Sequence, residues 1–142
     1  MTYTFECRTE EDMENLGRKV VSACGPNAVI SLRGSLGAGK TVFARGAARE
    51  LGIQEAIVSP TFTLIQEYEG RMHLYHMDLY RITSVEDFQM TGGEDMLYSG
   101  GICLIEWSEV IDEILPKDTV FVQIRINEDK SRTVTVEGGI KL

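Results

Sequence analysis

The residues best suited to chemistry form a glycine-rich run, Gly34-Ser35-Leu36-Gly37-Ala38-Gly39-Lys40-Thr41, which matches the pattern G-x-x-x-x-G-K-[ST]. Its glycines permit backbone torsions that turn successive N–H groups inward and form a nest for phosphate oxygens. We expect Lys40 to reach the β- and γ-phosphates of a nucleotide, and the Thr41 hydroxyl to bind Mg²⁺. The run therefore predicts a nucleoside triphosphate site. Adenine is favoured by default, because the sequence has no Asn-Lys-x-Asp element of guanine recognition.

Two acidic residues are candidates for completing such a site. Asp78 ends the apolar run that starts at Met72, and Glu106 ends the run Ile102–Ile105. Ligands collect at the carboxyl ends of the strands in a parallel sheet, and a phosphate-binding loop needs an acid there for its metal. The spacing leaves open which acid contacts the metal and which orients water. It also leaves open that either acid merely caps the next segment.

Other polar and aromatic residues are open to two interpretations. The run Ser59-Pro60-Thr61-Phe62-Thr63 is either a loop that senses the γ-phosphate or an ordinary turn. Trp107 either packs at the end of a strand or stacks on a ligand or partner. His73 and His76 are three residues apart on one strand, so they face different ways and a joint metal site is not expected. We interpret His76 as a packed or hydrogen-bonded residue.

The surrounding pattern predicts elements that would position these residues. Alternating or continuous apolar residues predict strands at Tyr3–Cys7, Ala28–Leu32, Phe62–Tyr68, Met72–Asp78, Ile102–Ile105, Thr119–Asn127 and Ser131–Glu137. Helical spacing and caps predict helices after Thr9, over Lys40–Leu51, Val85–Phe88, Glu94–Tyr98 and Ser108–Leu115. We therefore expect an α/β fold of the P-loop NTPase type. It would be a single domain, 1–142, with a central, mostly parallel sheet, antiparallel edge strands and flanking helices.

Composition narrows the classes of function. The chain has 142 residues, 14 Lys and Arg against 22 Asp and Glu, and a net charge of −8. Such a chain repels phosphate backbones on average, so any RNA-linked role would need a local basic patch or a partner. The three cysteines form no C-x-x-C pair, which speaks against a zinc site or a disulfide framework. No secretory signal or membrane-length apolar run occurs, so we expect a cytoplasmic protein without membrane contact.

Four segments together resemble a known family. Gly34–Thr41, Ser59–Leu64, Tyr75–Arg81 and Ile105–Trp107 follow the order and spacing of the bacterial TsaE (YjeE) proteins over roughly residues 5–125. The resemblance implies a small P-loop ATPase that supports N6-threonylcarbamoyladenosine synthesis in tRNA. Proteins like it act with TsaB and TsaD, where TsaD transfers the threonylcarbamoyl group made by TsaC. Contact with tRNA would then be indirect, through that complex.

The resemblance also implies roles for individual residues. ATP would be the substrate and Mg²⁺ the cofactor, with Lys40, Asp78 and Glu106 as the catalytic residues. Thr41, Asp78 and Glu106 would be the metal ligands. The nucleotide-binding set would be Ser35, Leu36, Gly37, Ala38, Gly39, Lys40, Thr41, Val42, Thr61 and Trp107. One departure is visible, because Ser35 stands where the family usually has Asp; the nest is unaffected, since its N–H groups come from the backbone.

Two other functions remain compatible with these motifs. One is a nucleotide-gated binding module, in which bound ATP fixes a surface for a partner without significant hydrolysis. The other is a small-molecule kinase. A kinase needs a lid and an acceptor site that exclude water, for which the chain has little room. An arginine that stabilises the transition state is not evident. Arg45 and Arg81 are candidates, and a partner could supply one instead.

Overall fold

One seven-stranded sheet runs through the protein. The computed structural model describes residues 2–35, 37–61 and 63–142. The strands are β1 Thr2–Cys7, β2 Val29–Arg33, β3 Ile65–Tyr68, β4 Leu74–Asp78, β5 Ile102–Glu106, β6 Val120–Ile126 and β7 Arg132–Gly138. The helices are α1 Glu10–Ser22, α2 Lys40–Glu50, α3 Val85–Met90 and α4 Gly93–Met96, with a 3₁₀ helix at Ser108–Ile114.

The strand order β1-β7-β6-β2-β5-β4-β3 places β2 at the centre of the sheet. β2 pairs in parallel with both β5 and β6, and β4 pairs in parallel with β5. β3, β7 and β1 extend the two edges with antiparallel pairs. The predicted α/β fold, with a mostly parallel centre and antiparallel edges, is confirmed.

Helices cover both faces of the sheet. α1 and α2 bury one face, where apolar residues of both helices pack on Leu32 and Leu104. α3, α4 and the 3₁₀ helix bury the other face, around Met77 and Ile105. The predicted start of α1 is also confirmed, because Thr9 and Asp12 form a reciprocal capping box.

Two glycines let α1 and α2 approach closely. A Cβ atom at Gly17 would lie 2.3 Å from the carbonyl oxygen of Phe43, and one at Gly46 would lie 1.9 Å from that of Glu14. Both distances are far below van der Waals contact, so any side chain here would push the helices apart. This close packing joins the middle of α1 to the middle of α2.

Several boundaries differ from the sequence prediction. β3 begins at Ile65 rather than Phe62, which lies outside the described residues, and Leu64 has a positive φ of 70° that interrupts extended backbone. β4 begins at Leu74 rather than Met72. The helix predicted over Ser108–Leu115 is a 3₁₀ helix. In the described part of the chain, no helix is long and apolar enough to cross a membrane.

Candidate functional site

The glycine-rich run connects β2 to α2 at the carboxyl edge of the sheet. Gly37 and Gly39 have φ values of 81° and 113°, which glycine adopts without steric cost. The Ala38 amide donates a hydrogen bond to the carbonyl of Ser35, at 3.0 Å. Leu36, a predicted contact, lies outside the described residues. Positive φ values at alternate residues are what a nest of inward-pointing N–H groups requires.

Lys40 places its ammonium group beneath this loop. The residue is 8% exposed. Its Nζ donates to the carbonyl of Gly34 at 3.0 Å and lies 3.6 Å from Oε1 of Glu106. The same nitrogen lies 5.1 Å from the centroid of the Trp107 ring. A buried cation needs such partners, and here they hold it at the carboxyl edge of the sheet.

The two predicted acids face each other across neighbouring strands. Asp78 and Glu106 are register partners at the ends of the parallel strands β4 and β5, and each is 6% exposed. Oδ1 of Asp78 accepts a hydrogen bond from the Tyr80 amide at 3.0 Å, and Oδ2 accepts from the Thr61 hydroxyl at 3.2 Å. The sheet thus places both carboxylates next to each other and near Lys40.

The hydroxyl-rich loop predicted to sense a ligand reaches this acid pair. Besides its bond to Asp78, Thr61 shares a hydrogen bond with Ser59, with 2.8 Å between the hydroxyl oxygens. Two aromatic rings form the opposite rim: Tyr80 and Trp107 pack edge to face with centroids 5.2 Å apart. They are 67% and 40% exposed. The loop and the aromatic pair therefore flank the acids on their solvent side.

Most of these groups line a cavity of about 440 Å³. Most of the predicted nucleotide, metal and catalytic residues line it: Gly37, Ala38, Gly39, Lys40, Thr41, Val42, Thr61, Asp78, Glu106 and Trp107. Ser35 is exposed and does not line the cavity. The volume falls in the range of small-molecule and nucleotide pockets.

One part of the cavity lining was not predicted from the sequence. It comprises Cys7, Arg8, Thr9, Glu10 and Met13 around the β1–α1 junction, Lys130 between β6 and β7, and Arg132 at the start of β7. Arg132 donates from Nε to the carbonyl of Ala38 at 3.0 Å, so it ties β7 to the glycine-rich loop. Burial, followed by the charge of Asp12, raises the pKa of the Cys7 thiol, which therefore stays protonated at neutral pH.

The two remaining sequence expectations concern His76 and the arginines. His76 is fully buried and its Nε2 lies 2.7 Å from Oε2 of Glu106, so it is a hydrogen-bonded residue as predicted, but one directly attached to the site. Arg45 is held by carboxylates of α1, at 3.0 Å from Glu14 and 3.6 Å from Glu10. Those ion pairs make Arg45 a poor source of positive charge for a reacting phosphate.

The carboxylates and hydroxyl at the site are hard oxygen donors of the kind Mg²⁺ prefers. Among residues 2–35, 37–61 and 63–142, no cluster of three or more His, Cys, Asp or Glu side chains could hold a metal on its own. Thr41, Asp78 and Glu106 fit an ion that takes one or two carboxylates and fills its remaining positions with hydroxyl and phosphate oxygens and water.

Comparison with known proteins gives one consistent result. Residues 7–134 match the family model described as threonylcarbamoyl adenosine biosynthesis protein TsaE. The sequence is 45% identical over 129 residues to the tRNA threonylcarbamoyladenosine biosynthesis protein TsaE of Treponema pallidum (strain Nichols), covering 91% of this chain and 96% of that protein. It is 37% identical over 126 residues to the protein of that name from Bacillus subtilis (strain 168), covering 88% and 78%. The crystal structure of Bacillus subtilis YdiB superposes with a TM-score of 0.81 at 31% identity, covering 97% of this chain and 86% of that one.

Proposed function

The chain belongs to the TsaE family of threonylcarbamoyl adenosine biosynthesis proteins, and we propose that it serves this process as an Mg²⁺-dependent ATPase. In this proposal, hydrolysis of ATP couples energy to a complex of TsaB and TsaD homologues that modifies tRNA. The observation that carries the proposal is the convergence of Lys40, Asp78 and Glu106 at the end of the cavity that the glycine-rich loop lines.

Phosphate binding follows from the backbone and from one buried cation. The N–H groups of Gly37 and Gly39 and the N-terminus of α2 offer donors and a positive dipole end to an anion. Lys40 adds a full charge in a site where little water screens it. Together these groups bind the triphosphate and stabilise the charge that develops as the γ-phosphoryl group is transferred.

Thr41, Asp78 and Glu106 would hold the Mg²⁺ ion, directly or through its water shell. When bound, the ion neutralises phosphate charge and makes the γ-phosphorus more electrophilic. The chain's own carboxylates orient the attacking water in line with the scissile bond. The water oxygen bonds to the γ-phosphorus, the bond to the β–γ bridging oxygen breaks, and ADP leaves; the water proton passes to a carboxylate or to the released phosphate.

The part of the cavity lined by the β1–α1 junction would take the nucleoside. Residues 8–10 and Lys130 would provide polar contacts there, while Met13 and Cys7 would provide an apolar wall for a purine ring. Arg132 bonds the carbonyls of the glycine-rich loop. In this proposal the loop binds the phosphates and the β1–α1 side of the cavity binds the base.

The proposed partners follow from the charge and from the exposed rim. A chain with a net charge of −8 is a weak RNA binder by itself, so tRNA would be contacted through TsaB–TsaD homologues. Trp107 lines the cavity and Tyr80 packs beside it; both are exposed, so a docked partner would reach them. Because Arg45 is engaged by α1, Arg81 and a partner are the remaining candidates for a transition-state cation.

Phosphate release from ATP–Mg²⁺ tests the proposal, measured with and without purified TsaB and TsaD homologues. We expect hydrolysis that the partners stimulate, that needs Mg²⁺, and that Glu106→Gln suppresses. Glu109→Gln is the matched control, because Glu109 is an exposed acid close in sequence that does not line the cavity. Hydrolysis at background level under every partner condition would instead support a nucleotide-gated binding module. Transfer of phosphate to a small acceptor would support a kinase.

A further inference from the structure

Neither packing nor the nucleotide contacts described above explain why residue 76 is a histidine. It lies on β4 two residues before Asp78 and therefore points to the same face of the sheet as that acid. Its register partner on β5 is Leu104, two residues before Glu106. The imidazole thus lies one layer beneath the two carboxylates, on the side covered by α1 and α2.

The contact between His76 and Glu106 assigns a direction to their hydrogen bond. The Nε2 and Oε2 atoms are 2.7 Å apart, and the histidine is fully buried. A carboxylate has no proton to donate, so Nε2 is the donor and Glu106 the acceptor. Charge-assisted bonds of this length are among the stronger ones in proteins.

The other ring nitrogen argues against a purely structural role. In the described parts of the chain, Nδ1 of His76 is the buried side-chain nitrogen or oxygen that has no hydrogen-bond partner. Leaving a polar atom unsatisfied in an apolar layer costs stability, and an apolar side chain of similar volume would avoid that cost. The one polar bond that the ring makes is therefore the reason for a histidine at this place.

We propose that His76 is a positioning residue that holds the Glu106 carboxylate for the reaction, a role that rests on the ATPase function proposed above. Lys40 lies 3.6 Å from Oε1 of Glu106, and its charge pulls the flexible glutamate side chain toward the ammonium group. His76 fixes the second oxygen, Oε2. The carboxylate therefore keeps one orientation whether or not a phosphate group binds Lys40. Asp78 obtains the equivalent restraint from Thr61 and the Tyr80 amide.

Two substitutions separate positioning from packing. His76→Leu fills a similar volume without a donor, and His76→Gln places an amide N–H near the position of Nε2. We expect His76→Leu to lower kcat 10- to 100-fold, the usual effect of removing a partner that orients a catalytic carboxylate. Nucleotide affinity should stay within about threefold. Tm should change by about 3 °C or less, because removal of the unsatisfied Nδ1 offsets part of the cost of leaving Oε2 of Glu106 without its donor. His76→Gln should recover kcat to within about threefold of the wild-type value.

The control is His73, the chain's other histidine, which bonds Glu67 outside the cavity at 3.0 Å. His73→Leu should leave kcat unchanged. Unaltered kcat in His76→Leu would overturn the proposal. An equal loss of kcat in His76→Leu and His76→Gln would overturn it as well. So would a parallel loss of kcat, nucleotide affinity and Tm in His76→Leu.

A second readout does not depend on hydrolysis. With only two imidazoles in the chain, ¹⁵N NMR should show His76 protonated at Nε2 and not at Nδ1. Glu106→Gln should move the Nε2 resonance of His76, whereas Glu67→Gln should move that of His73 alone. If the wild type fails to hydrolyse ATP while this pattern is seen, the ATPase proposal fails and the orienting bond stands. A His76 resonance that is indifferent to Glu106→Gln would refute the bond itself.

Discussion

Replacing Asp78 by Asn separates the chemistry of this acid from its part in the fold. Its Oδ1 accepts from the Tyr80 amide and its Oδ2 accepts from Thr61. In the variant, the amide oxygen still accepts from Tyr80, and the new N–H₂ group can donate to the Thr61 hydroxyl, which then reverses its role. Both contacts can therefore persist with neutral partners, while the negative charge is lost.

The size of each effect follows from these contacts. Exchanging a charged for a neutral hydrogen bond at Thr61 costs about 1 kcal/mol. With an unfolding entropy of ~2.1 cal/mol/K per residue, a chain of 142 residues should lose roughly 3 °C in Tm. Turnover should fall by about 10²–10³-fold, the effect of removing one preorganised electrostatic group from a buried reaction site.

Calorimetric unfolding and phosphate release on the same preparations measure both numbers. Asp87→Asn is a suitable control, since Asp87 is an exposed acid of α3 that also accepts from a threonine hydroxyl. A variant Asp78→Asn that hydrolyses ATP at the wild-type rate would refute the catalytic assignment. A loss of Tm much larger than that of the control would instead mark Asp78 as a structural acid.

Three further outcomes are expected from other parts of the molecule. Lys40→Ala should abolish most nucleotide binding in titration calorimetry, and with it turnover, because the buried cation that faces the phosphates is removed. Gly46→Ala should lower Tm by roughly 5–10 °C, because the added Cβ would clash with the Glu14 carbonyl. Gly25→Ala is the control and should change Tm little, because a Cβ at Gly25 would meet nothing within 4 Å. Burial raises the pKa of the Cys24 thiol to about 11, and only the thiolate reacts with alkylating reagents. Alkylation of Cys24, measured by mass spectrometry, should therefore be slow at neutral pH and become faster as the pH rises toward about 11.

The residues of the proposed phosphate site could be brought together from the sequence because their information is local. The spacing of Gly34–Thr41 encodes the loop, the cation and the hydroxyl within one short segment. Asp78 and Glu106 could be placed at one edge of the sheet because each follows an apolar strand, and parallel strands end together. The family resemblance agrees with the match to the TsaE family model and to TsaE of Treponema pallidum.

The part of the cavity proposed to take the base had no such local signal. Arg132 contacts the carbonyl of Ala38 across 94 positions of sequence, and only the pairing of β7 with its neighbours brings them together. His76 was missed as a site residue for a related reason. Its type and burial could be anticipated, but its partner Glu106 is set by the register between β4 and β5. The close approach at Gly17 and Gly46 likewise depends on how α1 crosses α2.

The register of β4 and β5 has a consequence for how the chain between them can change. Both strands run in step from Leu74 and Ile102 to the two acids, so the separation of the Cα atoms of Asp78 and Glu106 is set by the inter-strand spacing of ~4.8 Å. The Tyr80 amide holds the Asp78 carboxylate, but residues 82–101 have no part in setting that separation. Insertions or deletions within 82–101 should be tolerated by the reaction centre, whereas a single residue added within either strand would turn its acid to the opposite face.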